Sequence, residues 1–163
     1  MEAPLLSDEQ LAWLGRPLSI VVAARDPSHA PCLTRAIGWG FDRASGRMHL
    51  MLDRRFGLPV LDALECGSGL AVVFSEPASH RTLQIKGDAA RVIGAAPQAL
   101  AAAAAYAAAF GSGLAALGYD ATLAAGLFDV ERAEPMCVEF TPRAVFEQTP
   151  GPRAGRMLAE APR

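Results

Sequence analysis

His80-Arg81-Thr82-Leu83-Gln84-Ile85-Lys86-Gly87 is the stretch from which the chain is best read. It alternates. Leu83 and Ile85 fall on one face of a strand, Gln84 and Lys86 on the other. The apolar face belongs in a core. The polar face carries an amide and a cation on a rigid element, which suits an anionic or heteroaromatic ligand. It equally suits the wet face of an antiparallel sheet.

The 163 residues are enough for one domain with a real core. Hydrophobic residues make up 52%, but many are alanine, and the expectation is that no apolar run reaches the ~18–20 residues of a membrane span. No basic segment followed by an apolar one opens the chain, so export is not expected. The net charge of −2 argues against a nucleic-acid partner. Cys32, Cys66 and Cys137 are odd in number and form no CxxC pair, which supports neither a zinc site nor a disulfide framework and fits a reducing cytoplasm. His29, His49 and His80 are too scattered for a metal motif.

Working outward, Ser7 and Gln10 form a capping box for a short helix that Gly15-Arg16-Pro17 ends. Leu18 to Ala24 reads as a buried strand, and Cys32 to Asp42 as a second. In the second, Leu33, Ile37, Trp39 and Phe41 share a parity with Arg35 among them. A cation there calls for a partner, a ligand or an escape to the rim. Gly38 and Gly40 permit a bulge or a close approach. A hairpin over Asp42 to Gly46 leads to a third strand, Arg47 to Leu52. Arg54-Arg55 follows, either a phosphate clamp or a solvated turn.

Leu58 to Cys66 reads as a helix with Pro59 in its first turn and Leu58, Val60, Leu61 and Leu64 inward. Leu70 to Phe74 is a short strand, and the opening stretch runs on to Val92 or Ile93. An alanine-rich helix from Pro97 should break at Gly111 to Gly113, with shorter helical pieces over Leu114–Leu117 and Thr122–Leu127. Met136 to Phe140 is a strand that Pro142 interrupts and Arg143 to Gln148 continues. One domain is expected over residues 1–152 with a helical insertion at about 97–127, and a loose tail over 153–163. The order suggests a mainly β (α+β) fold, a small antiparallel barrel with peripheral helices.

These segments resemble the pyridoxamine 5′-phosphate oxidase-like family, the FMN-binding split barrels. The likeness runs over residues 16–95, weakens over 130–152 and is absent from the insertion. Arg35 stands where the family's second strand carries an Arg that contacts flavin phosphate. Gly46, the strand Arg47 to Leu52 and the pair Arg54-Arg55 match the next strand and its phosphate-binding turn. Gln84-Ile85-Lys86-Gly87 matches the strand whose Gln reaches the flavin. The resemblance implies an antiparallel split barrel of about six strands, homodimeric, with FMN in a groove between subunits. Arg35, Arg54, Arg55 and Lys86 would hold the phosphate, Gln84 the ring or ribityl chain, and the glycines with Leu50-Met51 would make a flat wall for the ring.

Three departures stand out. Gly40 replaces a family Lys, Asp53-Arg54-Arg55 replaces Ser-Arg-Lys, and the C-terminal Trp and Arg pattern of true pyridoxamine phosphate oxidases is not recognisable. The expectation is therefore an FMN-dependent oxidoreductase acting on another small molecule. The alternatives are a non-catalytic binder of FMN, haem or deazaflavin, with His49 or His80 as axial candidates for haem, and an empty barrel that has lost its cofactor.

Overall fold

The computed structural model describes residues 5–162. Its elements are α1 (Asp8–Leu14), β1 (Ser19–Arg25), β2 (Pro31–Asp42), β3 (Arg47–Asp53), α2 (Arg54–Glu65), β4 (Leu70–Ser75) and β5 (Thr82–Gly94). There follow α3 (Ala99–Ala116), α4 (Ala121–Leu127), a 3-10 turn (Val130–Arg132), β6 (Pro135–Glu147) and β7 (Met157–Glu160). The strands lie in the order β3-β2-β1-β4-β5-β6-β7, all neighbours antiparallel, and β3 also pairs with β6. The first six thereby close into a barrel, which removes their free edges.

The barrel interior is what the alternation dictates. Leu83 and Ile85 are buried inside it beside Ile20, Val22, Val72, Phe74, Leu50 and Phe140. Each large side chain fully buried there stabilises the fold by about 1.5–3 kcal/mol. α2 packs Val60, Leu61 and Leu64 against the same cluster, and α1 adds Trp13 and Leu14. The Ser7–Gln10 capping box forms as its spacing requires.

Gly87 shows why this stretch ends in glycine. A Cβ there would lie 2.8 Å from the Thr141 carbonyl oxygen and inside the contact distance of the Phe140 ring. β5 and β6 cross at this point, where the register shifts between Lys86 and Gly87. Only a residue without a side chain lets them approach.

The structure corrects several sequence readings. β2 carries a bulge: Ala36 pairs with Leu52 and Gly38 with Met51, leaving Ile37 extra. The parity therefore switches mid-strand. Thr34 and Ala36 point inward, Leu33 is 69% exposed, and beyond the bulge Trp39 and Phe41 pack on the core. Arg35 thus lies on the outer face, not within the core face.

α2 starts at Arg54 rather than Leu58, because the Asp53 carboxylate accepts from the Arg55 N–H and caps it. Pro59 is consequently inside the helix, and Leu58 is exposed. α3 runs straight through Gly111-Ser112-Gly113. Phe110 and Leu114, four residues apart, bury one face against Ile37, Ala103 and Phe128, which outweighs the glycine penalty of about 1 kcal/mol each. At 18 residues with a mean hydropathy of 1.5, α3 is long and apolar enough to span a membrane by those measures. The expectation that no apolar run reaches that length is corrected accordingly.

β6 is continuous through Pro142, which pairs opposite Gly87. The tail expected to be loose contains β7. β3 covers the edge of β6 only from Pro135 to Phe140, and β7 covers that strand again at Ala144 to Phe146. An otherwise open edge gains a partner.

Candidate functional site

The outer face of the barrel is built from the positions that alternate with the core. Register places them in rows. Arg35 pairs with Val21, Val21 with Val73, Val73 with Gln84, and Gln84 with Phe146. All five are half-buried. Three strand spacings separate Arg35 from Gln84, roughly 14 Å along the curved sheet. Leu33, Ala23, Ala71 and Lys86 form the adjacent row. On the other side the Thr82 hydroxyl donates to the His80 carbonyl at 2.9 Å and lies 3.0 Å from Ser75 Oγ, and Ser75 pairs with Ser19. The result is an apolar strip of Val21 and Val73 with a cation at one end and an amide at the other.

Arg35 is under-used. One guanidinium nitrogen donates to Ser19 Oγ at 2.8 Å, and the group lies 5.9 Å from the Phe128 ring centroid. No carboxylate pairs with it among the described residues. It borders a cavity of about 230 Å³ lined by Ile37, Asp53, Phe56, Phe128 and Asp129 among others. Gln84 Oε1 accepts from Gln148 at 3.4 Å, a long bond that a better donor could replace. Lys86 is exposed, with Nζ 4.8 Å from the centroid of the Phe146 ring.

The remaining expected site residues are placed differently. Arg55 is bound on both sides. Its guanidinium donates to both Asp53 carboxylate oxygens, to Asp129 Oδ2 at 3.1 Å and to the Asp129 carbonyl at 2.9 Å. Burial pushes the Asp53 carboxyl up, but Arg55 and the Glu134 and Arg55 N–H groups outweigh it and hold the acid below its ordinary value. The Asp53 carboxylate first, and Asp129 with it, raise Arg55 above its ordinary value. Arg54 meets Glu134 at 3.5 Å on the surface. Leu50 is fully buried inside the barrel, and its strand is paired on both sides, so its side chain cannot wall a ligand on the outer face. Met51 faces outward but packs beneath α3 with Ile37 and Tyr106. A Cβ at Gly40 would meet nothing within 4 Å, so no close approach demands that glycine.

Neither His49 nor His80 belongs to the Arg35–Gln84 row. His49 sits in a row with Gly40 and Glu139, its Nε2 4.0 Å from the carboxylate. Arg91 at 2.7 Å, the main cause, holds Glu139 below its usual range, with Arg47 at 2.9 Å assisting. His80 occupies a turn with φ 58°, its N–H donating to the Glu76 carbonyl.

Sequence reasoning missed Ser19, Phe128, Asp129 and Phe146. Ser19 and Phe146 could have been found from strand pairing once the register was known. Phe128 and Asp129 reach Arg35 and Arg55 through a fold-back of the insertion, and nothing local to their sequence signals it.

Known structures share this architecture. HupZ of Group A Streptococcus aligns with a TM-score of 0.53 at 11% identity, covering 96% of this chain and 100% of that one. A candidate pyridoxamine 5′-phosphate oxidase of Lactobacillus delbrueckii subsp. aligns at 0.51 and 14% identity, covering 90% and 97%. A pyridoxamine 5′-phosphate oxidase-related, FMN-binding protein of Nostoc punctiforme aligns at 0.51 and 14%, covering 93% and 87%. The fold is that of the pyridoxamine 5′-phosphate oxidase-like split barrels. At these identities the likeness concerns the fold. No protein-family model and no curated protein matches the sequence. In this split barrel the arginine and the glutamine of the expected flavin set share a row on the outer face, whereas Leu50 and Arg55 are committed elsewhere.

Proposed function

We propose that this split barrel binds FMN along the Arg35–Gln84 row and acts as a flavin-dependent oxidoreductase on a small molecule. The row itself carries the proposal. An apolar strip bounded by an under-used guanidinium and a weakly bonded amide matches an elongated ligand with a phosphate at one end and a polar heteroaromatic ring at the other. Nostoc punctiforme's FMN-binding relative in fold lends support.

The residues fit the cofactor in part. Arg35 would take the phosphate, Val21 and Val73 the apolar face, and Gln84 the ring edge or ribityl hydroxyls. Lys86 would add positive potential. Arg55 does not fit a phosphate role while two aspartates hold it. Bound FMN would supply hydride or electron transfer, and the protein position and electrostatics.

A second copy of the chain would cover the ligand. Val21, Val73, Ala23 and Ala71 form an open, half-buried apolar sheet face with Leu33 exposed beside it. Such a face favours association, and a two-fold pairing would close the strip into a groove.

Quenching of flavin fluorescence on titration with protein tests binding. Saturable quenching supports the reading, and none at excess protein removes it. Catalysis is then tested by reducing bound FMN and adding small-molecule acceptors. Electron transfer no faster than from free FMN would make the protein a binder rather than an enzyme.

A further inference from the structure

The corner near Arg35 contains a feature that a phosphate site does not need. Asp129, at the end of the insertion, reaches across to α2 and takes Arg55 through both its carboxylate and its carbonyl. Asp53 takes the other side of the same guanidinium. Arg35 and two acids, Asp53 and Asp129, line one cavity, and the two acids hold Arg55 between them. Their charges cancel, so an arriving dianion meets one uncommitted guanidinium and two carboxylates nearby.

We propose that Asp129 is a specificity-determining residue: it holds Arg55 away from the phosphate end and sets a carboxylate on the cavity beside Arg35, which weakens the protein's preference for a phosphorylated over an unphosphorylated flavin. This rests on the flavin reading above. The charge of Asp129 acts at the phosphate end only, since the ring end lies three strands away at Gln84. Removing that charge leaves Asp53 to orient Arg55 and takes the anion off the guanidinium edge that Asp129 Oδ2 now occupies. Freed of that carboxylate, Arg55 would reinforce Arg35.

The test is a pair of titrations, FMN and riboflavin, on the full chain. Wild-type protein should favour FMN over riboflavin by no more than the roughly ten- to hundredfold that Arg35 alone supplies. Asp129→Asn should tighten FMN about five- to tenfold and leave riboflavin unchanged. Adding Arg55→Gln to that variant should abolish the gain. If Asp129→Asn does not fold, Asp129→Ala removes the carboxylate while keeping the backbone carbonyl. An unchanged ratio, an equal gain for both flavins, or a gain that survives the loss of Arg55 would each overturn the proposal. Failure of both flavins to bind any of the proteins would remove the flavin reading and this inference together. Binding of FMN with no effect of Asp129 would remove only this inference.

Discussion

Arg35 on β2 and Gln84 on β5 occupy one cross-strand row, with Val21 and Val73 between them. The two residues are 49 positions apart in sequence. Antiparallel pairing through β1 and β4 is what places them on a shared surface, and it makes them separable probes of the two ends of a ligand.

Arg35→Ala should weaken FMN binding by about 1.5–3 kcal/mol, the scale of a charge-assisted hydrogen bond. Riboflavin, which lacks the phosphate, should lose much less. Calorimetric titration of both ligands checks this. Equal losses would make Arg35 a support of the sheet through Ser19 rather than a phosphate anchor.

Gln84→Ala should weaken both flavins alike, by about 1 kcal/mol, because it acts at the end they share. A loss confined to FMN would reverse the orientation assigned to the ligand. Thermal denaturation should change little, since the one side-chain bond lost is the long contact to Gln148.

Gly87→Ala should destabilise the fold by about 3 kcal/mol or more, since the new methyl meets the Phe140 ring and the Thr141 carbonyl where β5 crosses β6. By contrast, Gly113→Ala should stabilise α3 by about 0.5–1 kcal/mol, because a Cβ there meets nothing within 4 Å and the helix gains propensity. Chemical denaturation of both variants reads the two signs.

Asp53→Asn should cost about 2–3 kcal/mol at neutral pH, through the lost charge at the α2 cap and at Arg55. Its carboxyl is depressed in the folded state, so its contribution is complete above the unfolded value, near 3.8, and disappears as pH falls through the folded one. The stability gap between wild type and variant should therefore be constant at neutral pH and close in acid below 3.8. Denaturant midpoints measured across that range decide it. A gap that persisted in acid would assign the effect to packing.

The barrel was legible because its strands obey local rules. Leu83 and Ile85 alternate with Gln84 and Lys86, Gly46 with φ 68° turns the β2–β3 hairpin, and Ser7 caps α1. What the sequence concealed was decided by distant partners. The bulge at Ile37 switches the face of every later β2 residue, and it follows from the register against β3. The helix through Gly111 and Gly113 depends on Phe110 and Leu114 finding Ile37 and Phe128. β7 forms because β3 covers only the first half of β6 on that side. Of the candidate site, Arg35 and Gln84 could be singled out by residue type together with the family resemblance, whereas the commitment of Arg55 to Asp129 joins residues 74 positions apart.

The central claim is that the Arg35–Gln84 row holds a flavin nucleotide. Titrating FMN with the purified protein and following flavin fluorescence and visible absorption measures it directly. The account predicts saturable quenching with a perturbed flavin spectrum, both weakened by Arg35→Ala and by Gln84→Ala. No spectral change and no quenching at excess protein would contradict it.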